Sequence, residues 1–136
     1  MKHLCVGIDA GTRTGVAIWD CDDQRLTMVD TMTISVAMLF VMELAKQNDV
    51  VVYLEDARLR NWFGSSGREK LQGAGSVKRD CSIWETFCEE QGIELRKVAP
   101  KNNYTKLNAE QFRRLTGWQG RSSEHSRDAA MLVFGR

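Results

Sequence analysis

The sequence predicts an α/β fold: a mixed five-stranded sheet, an antiparallel meander of three strands plus parallel strands, flanked by helices. Three observations carry this. Short apolar or β-branched runs alternate with turn residues across the first 33 positions. A helical stretch then separates them from the strongest strand signal in the chain, VVVYLE at Val50–Glu55. Further on, a second helical stretch precedes another strand-like run at Ile93–Val98. A helix with a strand on each side is the pattern of a parallel crossover.

Taken in order, Leu4–Asp9 (LCVGID) reads as a buried strand ending on an acid. Ala10–Gly15 is a turn, and Val16–Asp20 (VAIWD) resumes as the second strand. Cys21-Asp22-Asp23-Gln24 turns the chain into a third strand, Leu26–Thr33. Ser35 is placed to cap a helix running to about Gln47, which Asn48-Asp49 ends. From Asp56 to about Ser76, four glycines, three serines and many cations read as a loop. Val77–Gln91 has helical spacing, with Ile83, Trp84, Phe87 and Cys88 on one face, and Gly92 stops it. Pro100, the only proline, follows the fifth strand. Asn108–Leu115 reads as a short helix stopped by Gly117, and Ser122 or Ser123 caps a last helix through Val133. Neither a repeat nor a linker divides the 136 residues, so one domain over 1–136 is expected.

The bulk chemistry narrows the class. An apolar share of 43% beside 27% charged residues is that of a soluble globular protein. The most apolar stretch, Ile34–Leu44, falls short of the roughly 20 residues that cross a bilayer. The Met1-Lys2-His3 start does not resemble a signal peptide, so a cytoplasmic location is expected. Cys5, Cys21, Cys81 and Cys88 form no CxxC pair and the two histidines lie far apart, which favours reduced thiols over a zinc site. Residues 1–56 carry 4 Lys/Arg against 9 Asp/Glu, whereas residues 57–136 carry 15 against 9. That asymmetry suits an acidic metal-binding centre beside a basic surface for a polyanion.

Some acids stand where acids are costly. Asp9 follows an apolar strand, Glu55 ends VVVYL, and Asp128 precedes the apolar Ala129-Ala130-Met131-Leu132. His125 and Asp128, three apart, project from one side of the last helix. Taken singly, Asp9 and Glu55 read most simply as turn or cap acids. Converging at strand ends, the same carboxylates would repel one another unless a cation neutralised them. Hard oxygen ligands select Mg²⁺ or Mn²⁺, and two such ions about 4 Å apart would promote in-line phosphoryl displacement. Strand alternation turns Asp56 to the side opposite Glu55.

GIDAGTRTGVAIW, then VVYLED, then EHSRDAAML, in that order and over almost the whole chain, resembles the RuvC family of Holliday-junction resolvases within the RNase H-like superfamily. The resemblance implies an RNase H-like sheet and an Mg²⁺-dependent endonuclease that cleaves four-way or other branched DNA, leaving 5′-phosphate and 3′-hydroxyl ends. It also implies that Asp9, Glu55, His125 and Asp128 are the catalytic residues and hold two metal ions, Mg²⁺ with Mn²⁺ able to substitute. His125 stands where family members carry aspartate or histidine. The chain is shorter than typical bacterial members, which suits a phage-type one.

The same resemblance implies a DNA track. Arg58, Arg60, Trp62, Phe63, Arg68 and Lys70 interleave cations and aromatics after the glutamate, suited to phosphates and to unpaired bases. Arg13, Lys78, Arg79, Lys101 and Lys106 extend the set. Trp62 and Phe63 read equally well as core anchors. A two-fold dimer is implied, with Ile83, Trp84 and Phe87 as its candidate interface or, alternatively, as plain core. Three rivals stand beside this reading. One is an RNase H-like nuclease for RNA–DNA hybrid or another nucleic acid. Another is a non-catalytic DNA-binding module. The third is an actin-like ATPase, because Asp9-Ala10-Gly11-Thr12 also resembles a phosphate loop.

Overall fold

A computed structural model describes residues 1–59, 67–100, 103 and 106–136, and for 67–74 the backbone alone. Its strands are β1 (His3–Asp9), β2 (Arg13–Asp20), β3 (Arg25–Thr33), β4 (Asp49–Glu55) and β5 (Glu94–Val98). They form one sheet in the order β3-β2-β1-β4-β5. β1, β2 and β3 make the antiparallel meander. β4 runs parallel to β1, and β5 parallel to β4. The expected mixed five-stranded sheet is therefore the observed one.

Helix α1 (Ile34–Gln47) crosses from β3 to β4, and α2 (Gly67–Gln91) crosses from β4 to β5. Alternation along the strands builds two cores. Leu4, Val6, Ile8, Val16, Ile18, Val50, Val52 and Leu54 face α1 and α2, meeting Ala37, Val41, Cys81, Trp84 and Cys88. The opposite face gathers Cys5, Ala17, Trp19 and Tyr53 with residues of α3 (Ala109–Thr116) and α4 (Glu124–Val133).

Three local readings change. The cap of α1 is Thr33, not Ser35, and that helix starts at Ile34. The turn after β1 is shorter than expected, because β2 already begins at Arg13. The stretch read as loop up to Ser76 is helical from Gly67, so α2 is 25 residues long. A helix held at one end by packing propagates cheaply through residues that would not nucleate it. Gly75 pays only its intrinsic penalty of about 1 kcal/mol, since nothing lies within 4 Å of its Cβ position.

The last helices end as the sequence leads one to expect. Asn108 and Gln111 form a capping box at α3, and Gly117 closes it at φ 78°. Ser123 caps α4 through a reciprocal pair with Ser126. All four cysteines are free thiols. Among the described residues no helix is long and apolar enough to cross a membrane.

Candidate active site

Asp9 is the last residue of β1, and Glu55 is the last of β4. The parallel register pairs Ile8 with Leu54, so the two acids follow side by side at the carboxyl ends of neighbouring central strands. Both share the strand phase of Gly7 and Tyr53, which turns them toward the α4 face. Asp56, one residue on, is fully buried on the α2 side, as alternation requires.

Two glycines decide where α4 lies. A methyl group at Gly7 would sit 2.0 Å from the Ala129 carbonyl oxygen, and one at Gly15 would sit 2.1 Å from that of His125. Gly15 is also the cross-strand partner of Asp9. The helix backbone thus rests directly on the strands, and His125 is delivered to the acid. Its Nδ1 lies 3.0 Å from Asp9 Oδ2. Glycine inside a strand signals such a close approach. That signal was present at both positions and was not used in the sequence reading.

The electrostatics follow from this packing. Burial pushes the Asp9 carboxyl up to about 6, and the charges of Asp128 and Glu124 add to the rise while the His125 hydrogen bond opposes it. Asp128 is also raised, chiefly by burial and then by Glu124, against the amide of Lys106. That amide donates to Asp128 Oδ1 at 3.0 Å, from a left-handed backbone with φ 62°. Asn103 Nδ2 donates to the Asp128 carbonyl at 3.1 Å. Asn103 was not anticipated; a lone polar residue in a loop carries no sequence pattern.

Among the described residues no group of three or more His, Cys, Asp and Glu side chains is gathered closely enough to hold a metal ion. Asp9 is turned to His125 and Asp128 to the Lys106 amide. The donor chemistry still fits a hard divalent cation: three carboxylates and one imidazole at one end of the sheet. A carboxyl held near 6 by burial and like charge is one that a cation would return to its ionised form.

The basic residues divide. Arg13 opens β2 beside the site. Arg58 is committed to a network of its own. It donates to Asp56 through Nε at 2.8 Å and Nη2 at 2.7 Å, and through Nη2 to Glu85 at 2.9 Å. Lys97 reaches the same Glu85 oxygen at 2.6 Å. Lys78 and Arg79 lie on α2, and Arg79 Nη2 donates to Ser76 at 3.2 Å. Lys106 offers its amide to Asp128 while its side chain is exposed. Arg60, Trp62, Phe63 and Lys101 lie outside the described residues, as do the side chains of Arg68 and Lys70. On α2, Trp84 is fully buried core, whereas Ile83 is 41% exposed.

The fold has a clear counterpart. Thermus thermophilus RuvC, solved in complex with a Holliday junction substrate, superposes with a TM-score of 0.61 at 15% identity, over 96% of this chain and 90% of that one. This is the RuvC-type, RNase H-like fold. At that identity the likeness is one of architecture. Two nucleases align more loosely and add nothing to the assignment. They are the large terminase nuclease of thermophilic phage G20c (TM-score 0.39, 14% identity, 99% of this chain and 82% of that one) and the trimeric exonuclease PhoExo I of Pyrococcus horikoshii (0.34, 14%, 74% and 59%). The chain matches no protein-family model and, in sequence, no curated protein.

Proposed function

We propose that this protein is a metal-dependent endonuclease that hydrolyses phosphodiester bonds in branched DNA, four-way junctions foremost, leaving 5′-phosphate and 3′-hydroxyl ends. One observation carries the reading. Acids remote in sequence, Asp9 and Glu55 at adjacent strand ends and Asp128 on α4, come to one end of a RuvC-type sheet, with His125 bonded to the first of them.

Asp9, Glu55 and Asp128 are the residues that would hold two divalent ions, Mg²⁺ or Mn²⁺, with His125 beside them. Such ions supply Lewis acidity toward water and toward the leaving oxygen. The chain's own contribution is placement. Gly7 and Gly15 let α4 sit hard on the sheet, so Asp9 and His125 are held at a separation that thermal motion of a loop would not maintain. With Nδ1 engaged by Asp9, the other ring nitrogen of His125 is available to take or return a proton on its exposed side.

A substrate panel tests the reading: four-way, three-way, flap, linear duplex and RNA–DNA hybrid, in Mg²⁺ and in Mn²⁺, beside Asp9→Asn. Cleavage of branched DNA lost in Asp9→Asn supports it. Cutting of hybrid alone would move the chain to the RNase H-like alternative. Normal cutting by Asp9→Asn would refute the site. The reading extends to a two-fold dimer that places two sites on related strands. Ile83 on α2 and Val36 and Leu39 on α1, 41%, 52% and 58% exposed, are the apolar residues available to meet a second copy. Light scattering that shows only monomer, with and without junction DNA, would remove that extension.

A further inference from the structure

Beside the acidic centre, the start of β2, the middle of β3 and the segment leading into α4 enclose a polar cavity of about 260 Å³. Two cations line it, Arg13 from β2 and Arg121 from the segment before α4. Both are exposed, and neither guanidinium has a hydrogen bond or ion pair among the described residues. Elsewhere arginines of this chain find carboxylates: Arg58 takes Asp56, Arg96 takes Glu94, and Arg114 takes Glu110. The one acid in the lining, Asp30, accepts from the Thr31 amide at 2.8 Å.

The wall is held in place from behind. Arg127 Nε donates to the Leu107 carbonyl at 2.7 Å, and its Nη1 donates to the Ser122 carbonyl at 3.1 Å and to Ser122 Oγ at 3.0 Å. A hydroxyl that accepts from a guanidinium keeps its own proton for another acceptor. Ser123, the cap of α4, lines the cavity as well, so the positive end of that helix adds to the field. The cavity is adjacent to the reacting end of the sheet. Ser123 is two residues from His125, and Arg13 is two residues from Gly15, on which the His125 backbone rests.

We propose that this cavity is a subsite for one backbone phosphate of the bound DNA strand, held by Arg13 and Arg121 with the Ser122 hydroxyl, a step that rests on the nuclease reading above. Paired guanidinia and a donor hydroxyl over a helix start match a tetrahedral anion and read no base edge. The subsite therefore contributes affinity and strand position without sequence preference.

The test measures dissociation constants for a labelled four-way junction and a linear duplex in chelator, by anisotropy across a salt series. Arg13→Ala and Arg121→Ala should each weaken binding to both DNAs and flatten the slope of log Kd against log salt by about 0.9. Arg121→Lys should keep the slope. Arg25→Ala, an exposed cation at the far end of β3, should change neither quantity. Slopes for Arg13→Ala and Arg121→Ala indistinguishable from wild type would overturn the subsite. A companion Mg²⁺ cleavage assay separates the two claims. A wild-type chain that cuts while the slopes stay unchanged removes the subsite alone. An inert chain whose slopes still fall removes the nuclease and leaves the phosphate contact standing. A chain that binds neither DNA ends both.

Discussion

The two faces of the sheet are packed by different means. Toward α1 and α2 the strands present Leu, Ile and Val side chains, and the helices answer with Val41 and Trp84, so side chains separate the backbones. Toward α4 the strands present Gly7, Gly15 and Ala17, and backbone meets backbone. A side-chain layer tolerates repacking because many contacts share any adjustment. A backbone contact over glycine has no such slack. The face that carries Asp9 and His125 is built the stiff way, and the face that only fills the core is built the forgiving way.

Four substitutions sharpen or break that contrast. Of the two packing substitutions, Gly15→Ala has the larger effect on turnover. Its methyl would meet the His125 carbonyl, so α4 must lift away from Asp9, and DNA cleavage should fall by roughly 100-fold, as for a 1 Å misplacement. Circular dichroism and a urea titration would show a cooperative fold destabilised by about 1–3 kcal/mol. Cleavage within a fewfold of wild type would mean that the glycine contact does not position the site.

Trp84→Ala probes the other face. Emptying its fully buried position should lower stability by about 3–5 kcal/mol in denaturant while the folded fraction keeps its turnover. Turnover lost out of proportion to unfolding would dissolve the distinction between the faces.

Asp9 offers a charge test. Its carboxyl is raised to about 6 by burial, so the neutral form is the one the metal-free fold prefers. Stability associated with it is greatest below the ordinary carboxylate range and is lost as pH climbs through 6. In chelator, wild type should gain stability between pH 7.5 and pH 5. Asp9→Asn should be the more stable protein at pH 7.5, by about 3 kcal/mol. Added Mg²⁺ should raise the Tm of wild type and leave that of Asp9→Asn where it was. A flat pH response in wild type would contradict the account of the site.

The smallest effect concerns Asp56, on the α2 face. Burial opposes its ionisation, but the hydrogen bonds and charge of Arg58 prevail and hold its carboxyl below the usual range. Its contribution is present at neutral pH and vanishes as pH falls through that lowered value. Asp56→Ala should destabilise by about 2 kcal/mol at pH 7 in a urea titration, a cost moderated because Arg58 retains Glu85, and the difference from wild type should narrow in acid as Asp56 itself is protonated.

Much of the site was legible along the chain. A period of two sorts each strand into faces, and an acid that ends an apolar run marks a strand end. Asp9, Glu55 and the opposite orientation of Asp56 were therefore readable before any coordinates. Capping chemistry is equally local, which is why Gly117 was readable as the stop of α3 and the start of α4 was narrowed to Ser122 or Ser123, of which Ser123 is the cap. The start of α2 was not readable, because helix extent depends on how well the far end is anchored.

The sequence alone determined the order of elements and the acids that end the central strands, since each depends on neighbours a few residues away, and a helix lying between two strands implied the mixed sheet; the parallel pairing of β1 with β4 itself joins segments distant along the chain. Only the tertiary structure decided that α4 lands on Gly7 and Gly15, that Arg58 is spent on Asp56 and on Glu85 27 residues later, and that Arg13 and Arg121 face one cavity. Those are meetings between segments distant along the chain. They are set by how closely backbones can approach and which charges then find each other, and no local pattern encodes either.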